Sequence, residues 1–358
     1  TITLQPITLE PVVNTDQLHA PEAFASGFTS WSGGFTSWSG GFTSWSGGFT
    51  SWSGGFTSWS GGSPEPTTFS ENLPIWDQID LPEGQQLAPN LGSGVKVAVI
   101  DTGLDLNHPA FMGNLAPASE WRDFVDNDAY PMDEAGGSSY GHGTAVAGIV
   151  LQVAPNVTIL PIRVLGPDGS GDVDDVVAAV DHAIAMGADV INMSLGTNVN
   201  LPALEKMMQY AALNMVFVTS SAGNSGDGNV TYPGAYDFSR WDAEYTIGIG
   251  SVDLNDVKSS FSTYGDALAM VAPGEFVYTL APENQVAYWS GTSMAAPMVA
   301  GAAALGLAEA TVYWQQVEYP FYLVDTSDII MKENRDYRAQ LGSGRLNVYE
   351  YLWMMGIE

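Results

Sequence analysis

The sequence contains no cysteine, which excludes disulfides, thiolate catalysis and cysteine-ligated zinc together and leaves the redox compartment undecided on that ground. Basic residues are scarce as well: ten Lys and Arg stand against 40 Asp and Glu, a formal charge of −30. A surface of that sign repels phosphate backbones and anionic lipid, so neither nucleic acid nor membrane is an expected partner. The acidity reads as a solubility surface rather than as a specific cation site. No apolar run reaches the roughly 18 to 20 residues of a membrane span, and residues 1–20 lack the basic-then-apolar layout of a signal peptide.

What is present is a chain of 358 residues, 45% hydrophobic, ample for a packed core without covalent staples. Residues 1–27 form an amino-terminal extension. Residues 28–62 are five identical copies of FTSWSGG and hold five of the eleven tryptophans. Two glycines in every seven residues disfavour a helix, so this stretch reads as a low-complexity linker. The competing reading is an aromatic platform for carbohydrate or a partner protein, since indole stacks well on flat apolar faces. Residues 63–74, SPEPTTFSENLP, read as an extended connector broken by prolines 64, 66 and 74.

From about Ile75 the texture becomes alternating strand and helix. VKVAVI (95–100), VTILPIRV (157–164), DVINMS (189–194), MVFVTS (215–220), TIGIGSV (246–252) and LAMVA (268–272) are short, apolar and rich in β-branched residues, as strands covered on both faces are. Between them, residues 172–187 set Val173, Val176, Val177, Val180 and Ile184 on one helical face, with Asp172 as N-cap and Gly187 as the stop. Residues 201–213 behave similarly. The pattern predicts an α/β fold with a doubly wound, mostly parallel sheet flanked by helices, whose ligands gather at the carboxyl ends of its strands.

Three segments place reactive side chains where that rule puts a site. VAVIDTG carries a buried strand into Asp101, YGHGTAVAGIV starts a small-residue helix at His142, and GTSMAAPMVAGAAALGL starts another at Ser293. A serine hydroxyl needs a base to take its proton, the base needs a carboxylate to fix its tautomer, and the oxyanion formed needs donors. Ser293, His142 and Asp101 supply the first three roles. TSSAGNS places Asn224 just past a strand, where its amide can donate to the oxyanion beside the Ser293 N–H. Gly291 permits a sharp turn before the serine, and Ala295, Ala296, Gly301 and Ala302 let the following helix approach the sheet closely.

VAVIDTGLDLNHP, GHGTAVAGIV, SSAGNS and SGTSMAAPMVAGAAAL, in that order, resemble the four signature blocks of the subtilisin-like serine proteases, and the likeness runs from about Ile75 to residue 358. The resemblance implies a peptidase domain over residues 75–358, with Ser293 the nucleophile, His142 the general base and then acid, Asp101 the orienting carboxylate and Asn224 the oxyanion donor. It implies that substrate lies as an added strand between Gly169, Ser170 and Gly171 on one side and Ser194, Leu195 and Gly196 on the other. Thr231 stands where the family often places the floor of its main specificity pocket. The absence of an acid there predicts apolar or uncharged residues before the cleaved bond. Protein or peptide substrates, a monomer and secretion are the corresponding expectations.

The chain departs from the family pattern at calcium. Where many members place an aspartate soon after HP, this chain has Ala110, and AGIVLQVAPNV carries no inserted loop, so no tight calcium site is expected. The acidic loop 123–134, DFVDNDAYPMDE, lacks the spacing of a known calcium loop and reads as solvated. No cofactor is expected, with weak calcium binding at no located place the one reservation. Residues before 75 do not look like the folded inhibitory prosegment that many relatives carry.

Two rival motifs fail. DTG at 101–103 is also the aspartic-protease signature, but only one copy is present, and that chemistry needs two carboxylates sharing a proton. GSSYG (137–141) fits a nucleophile elbow but follows an acidic loop rather than a strand. A second class of function, an adhesion or binding module led by the tryptophan repeats on a protease-like scaffold, is separated from catalysis by deleting residues 28–62.

Overall fold

The structure, a computed structural model, describes residues 3–6, 69–236 and 246–357. Its first strand, β1, is Thr3–Pro6. All the described residues belong to one compact unit. The FTSWSGG copies, and the binding role read for them, lie outside the described residues.

Regular structure includes residues that the sequence reading gave to an extended connector. A 3-10 turn at Ser70–Asn72 leads into helix α1, Leu73–Gln78, and then α2, Leu81–Leu87. Pro74, expected to block regular structure, sits in the first turn of α1, where its missing N–H has no helical acceptor to lose. Buried Asn72 ties this start to the body, donating to Gln152 Oε1 at 2.8 Å and to the Tyr278 carbonyl at 2.7 Å.

The apolar runs become a sheet. Strands β2 (Lys96–Asp101), β3 (Arg122–Asp123), β4 (Thr158–Arg163), β6 (Val190–Met193), β8 (Phe217–Ser221), β9 (Thr246–Val252) and β10 (Met270–Pro273) line up in the order β10-β9-β8-β6-β2-β4-β3. Every adjacent pair is parallel. Parallel neighbours need crossover helices, and those helices cover both faces. Helix α3 (His142–Val153) leads into β4, α4 (Val173–Ala185) into β6 and α5 (Pro202–Leu213) into β8.

Helix α4 begins as its sequence dictates, with the Asp172 carboxylate accepting the Asp174 N–H at 3.0 Å. Val173, Val176 and Val180 are buried with Ala98, Ile100, Leu160 and Ile162 in one cluster, while Val177 and Ile184 pack at its margin. Strand side chains alternate, so Val97, Val99 and Asp101 point to the opposite face. There α3 packs against helix α6, Thr292–Glu309, which lies over β6, β8, β9 and β10. Every residue of α6 from Thr292 to Gly306 is buried, as expected for a helix apolar on all sides.

The chain reverses direction across the sheet at β2: β4 and β3 lie on one side, β6 and β8 on the other. The carboxyl ends of β2 and β6 therefore open the crevice in which doubly wound folds place ligands.

Two short strands stand apart. Strand β5, Gly171–Asp172, and strand β7, Leu195–Gly196, both pair antiparallel with β1, in the order β5-β1-β7. A hairpin of β11 (Val277–Ala281) and β12 (Gln285–Trp289) precedes α6, and helices α7 (Tyr313–Asp325) and α8 (Val348–Met354) complete the chain.

Candidate active site

Asp101 is the last residue of β2 and His142 the first of α3. Their side chains meet: Nδ1 of His142 lies 2.7 Å from Oδ1 of Asp101, both fully buried. The same oxygen accepts the Thr102 N–H at 2.7 Å. A carboxylate can only accept, so Nδ1 carries the proton and Nε2 presents its lone pair. Nε2 is buried with no hydrogen-bond partner.

Gly143 makes the approach of these two residues geometrically feasible. A Cβ there would stand 2.2 Å from the Gly103 carbonyl oxygen and 3.1 Å from the Asp101 Cβ. Any side chain would push α3 away from the β2 turn.

Burial alone would lower the pKa of His142. The charge of Asp101, its hydrogen bond and the charge of Asp133 more than offset that, and hold the imidazole above its ordinary range. Asp133 lies beneath both segments. Its Oδ1 accepts the Gly141 N–H at 3.1 Å and the Thr102 hydroxyl at 3.4 Å, and its Oδ2 accepts the Thr144 hydroxyl at 2.9 Å. Burial pushes its carboxyl up to about 7, against the lowering effect of the Gly141 and Thr144 bonds and with a further push from Asp101.

Ser293 is the second residue of α6. Gly291, at φ 147°, makes the turn before it in a region closed to most side chains. Four residues after the serine, Pro297 has no N–H to give, so the Ser293 carbonyl loses its helical donor. Ser194 Oγ takes that place at 2.8 Å, while Ser293 Oγ lies 3.4 Å from the Ser194 carbonyl. The chain continues inward: Asn192 Nδ2 donates to Ser194 Oγ at 3.1 Å, and Thr219 Oγ1 to Asn192 Oδ1 at 3.0 Å. The serine is thus anchored to the ends of β6 and β8.

Asn224 follows β8. Its Oδ1 accepts from the Thr292 N–H at 3.0 Å and the Thr292 hydroxyl at 2.9 Å. These two bonds tie the Asn224 side chain to the start of α6. All four sequence-selected residues therefore lie at the carboxyl edge of the sheet: Asp101 and His142 joined directly, Ser293 and Asn224 joined through Thr292 and neighbouring backbone.

The two segments expected to flank a substrate each end in a short strand. Gly169, Ser170 and Gly171 lead through a loop into β5, with the Ser170 hydroxyl on Asp168 at 2.9 Å. Ser194, Leu195 and Gly196 run from Ser293 into β7. Thr231 lies against β7, where a Cβ on Gly196 would come 2.4 Å from its hydroxyl, and it donates to the Ser221 carbonyl at 3.2 Å.

The acidic loop 123–134 differs from a simple solvated loop. Arg163, at the end of β4 and buried, donates to Asp123 at 2.9 Å, Asp126 at 2.7 Å and Glu134 at 2.8 Å. An internal guanidinium holds these carboxylates, and the fork of Arg suits several partners at once. Sequence reading also missed Asn192 and Asp133. The only signal for Asn192 was a polar residue inside the apolar run VINM, and for Asp133 its place on a turn nine residues before the histidine.

Comparison with known proteins agrees with this architecture. The subtilase family model matches residues 92–345. Thermitase of Thermoactinomyces vulgaris is 39% identical over 238 residues, 64% of this chain and 79% of its own. The major intracellular serine protease of Bacillus subtilis is 35% identical over 258 residues, 65% of this chain and 77% of its own. A cold-adapted subtilisin-like serine proteinase superposes with a TM-score of 0.61 at 34% identity, covering 72% of this chain and 89% of that one. With its parallel sheet, its crevice at the strand ends and a family match over most of its length, the chain belongs to the subtilase family and is a serine-type endopeptidase.

Proposed function

We propose that Ser293, His142 and Asp101 act as a catalytic triad that hydrolyses peptide bonds through an acyl-enzyme. The observation that carries this reading is the 2.7 Å bond from His142 Nδ1 to Asp101, which leaves a buried, unpartnered Nε2 at the edge of the sheet where α6 begins, with Ser293 its second residue.

In the first step Ser293 Oγ attacks the scissile carbonyl carbon as Nε2 takes the hydroxyl proton. The imidazolium that forms is stabilised by Asp101. The oxyanion receives the Asn224 amide and the Ser293 N–H, the latter strengthened by the positive end of α6. When the C–N bond breaks, Nε2 returns its proton to the leaving amine. Water then attacks the ester, giving its proton to Nε2, and Nε2 passes that proton to Ser293 Oγ as the ester C–O bond breaks and the acid departs.

The edges of β5 and β7 bind the substrate backbone, so affinity comes mainly from main-chain bonds and side-chain selectivity is broad. Thr231 brings no charge to the pocket side of β7, which favours apolar or uncharged residues before the cleaved bond. The relatives include one named as intracellular, so compartment does not follow from family membership.

A fluorophosphonate probe tests the assignment. It should attach to Ser293 in the folded chain and fail to attach in Ser293→Ala. Attachment elsewhere, or none to a folded chain whose groove is open, overturns the triad.

A further inference from the structure

We propose that Tyr140, Glu283 and Trp289 form a subsite for a cationic side chain, arginine above all, carried by the first two residues after the cleaved bond. The inference rests on the catalytic reading above and adds to it a substrate class: polypeptides cut just before basic residues.

Three observations carry it. The first is place. Among the described residues the hairpin strands β11 and β12 pair only with each other, so they belong to neither β5 nor β7. The turn of the hairpin and its last residue both close on the residue before His142: a Cβ on Gly141 would meet Pro282 Cδ at 2.6 Å and the Trp289 ring at 3.4 Å. Tyr140, one position earlier, donates its hydroxyl to Glu283 Oε1 at 3.4 Å. In the catalytic reading the residues before the cleaved bond run between β5 and β7, and His142 protonates the leaving amine. Groups packed beside His142 that belong to neither wall therefore meet the residues that follow the bond.

The second is charge. Burial, the charges of Glu283 and Asp133, the bond to Glu283 and the charge of Asp105 together push the Tyr140 hydroxyl up to about 12. Each of those charges is negative, so the phenol stays a neutral donor in a field that an arriving cation relieves. Glu283 is exposed, and Tyr140 and Trp289 are half-buried, which leaves a carboxylate and parts of two rings open to a ligand. A guanidinium is planar and weakly hydrated, and it can stack on an aromatic face while pairing with a carboxylate. The net charge of −30 draws any cation toward the protein; the subsite adds selection at particular positions of the substrate.

The third is rigidity. Glu283 and Asn284 take φ 63° and 59°, left-handed backbone that glutamate enters at a cost glycine does not bear. The Glu283 N–H donates to Asp105 Oδ2 at 2.8 Å, and the Asp105 N–H donates to the Thr144 hydroxyl of α3 at 2.9 Å. The carboxylate is thus mounted on the same helix start that carries His142. Backbone strain gathers where a side chain is used, and a carboxylate fixed in advance loses little freedom when it binds.

The test compares two fluorescent peptides, uncharged and identical except at the two residues after the cleavage point, where one carries arginine and the other citrulline, its neutral isostere. Product masses identify the bond that is cut. In the full chain kcat/KM should favour the arginine peptide about tenfold. In Glu283→Gln that preference should fall below about threefold. Asp325→Asn removes the same unit of charge at the end of α7 and should keep the native ratio. Anisotropy with the same peptides and the Ser293→Ala chain, with and without Glu283→Gln, repeats the comparison without chemistry.

The subsite is refuted by equal behaviour of the two peptides, by a ratio that Glu283→Gln leaves untouched, or by one that Asp325→Asn lowers as far. If binding shows an arginine preference that depends on Glu283, yet the folded chain with Ser293 neither cuts peptide nor takes up a fluorophosphonate, the subsite stands and the triad reading fails instead.

Discussion

The Ser194 hydroxyl donates to the Ser293 carbonyl at 2.8 Å, at the acceptor that Pro297 leaves without a helical donor. A proline inside a buried helix is ordinarily costly; here its missing N–H frees the carbonyl that fastens the serine to β6 and β7.

Ser194→Ala should therefore strand a buried acceptor and lower stability by about 1–3 kcal/mol. Pro297→Ala restores an N–H for the same carbonyl. The double variant should lose less than the two single losses combined, which a denaturant-unfolding cycle measures directly. Strict additivity would mean that the two sites do not share this acceptor.

The pH profile follows from His142. Its pKa is raised, so the imidazole stays cationic to higher pH than usual, and a cation cannot act as a base. The acid limb of kcat/KM should lie above the ordinary imidazole value of about 6.5. Asp133→Asn removes one of the charges that raise it while leaving an amide able to accept from Gly141 and donate to the Thr144 oxygen. The limb should then move to lower pH.

Asp133 also predicts a stability profile. Its carboxyl is raised from 3.8 to about 7 in the folded chain, so the folded form binds more protons across that interval. The contribution is fully present below pH 3.8 and is lost as pH rises through about 7. Melting temperature should fall more steeply with rising pH in the native chain than in Asp133→Asn between those limits.

Gly143→Ala should keep the fold and damage the site. The added Cβ meets the Gly103 carbonyl oxygen at 2.2 Å, which forces the start of α3 from Asp101. Misplacement of this order costs roughly a hundredfold in rate. Steady-state kcat/KM alongside circular dichroism separates the two effects.

Arg163→Met should be among the most destabilising single changes in the chain. It leaves Asp123 buried without its cation and removes the hub that joins Asp126 and Glu134. Breaking a buried pair from one side costs about 3–5 kcal/mol. Urea unfolding at neutral pH measures the loss.

The strands were legible because strands covered on both faces read as unbroken apolar runs, and each of the six named runs became one. The hairpin β11–β12 was not, because its turn is made by Glu283 and Asn284 at φ 63° and 59°, and glutamate is a poor advertisement for a left-handed turn. Helix α1 was hidden by Pro74, which a first turn accepts and an interior does not. At the site, Asp101, His142, Ser293 and Asn224 were visible because each follows a strand or opens a helix in a small-residue motif. Asn192 and Asp133 were not, because their importance lies in partners 2 to 31 positions away and across separate elements. Nor does the uncharged run Thr3–Pro6 announce, by composition, that it pairs with residues nearly 170 and 190 positions later; its meaning is entirely in the register.

Strand β3, two residues long at one margin of the large sheet, is clamped to β4 through the Arg163 cluster. At the other margin, Val271 of β10 is bridged by Arg345. Both flanks are thereby poor templates for a foreign chain, which guards a protein whose trade is gripping extended polypeptide from gripping its own kind and precipitating. In the proposed reading, stickiness toward backbone is left to the facing edges of β5 and β7.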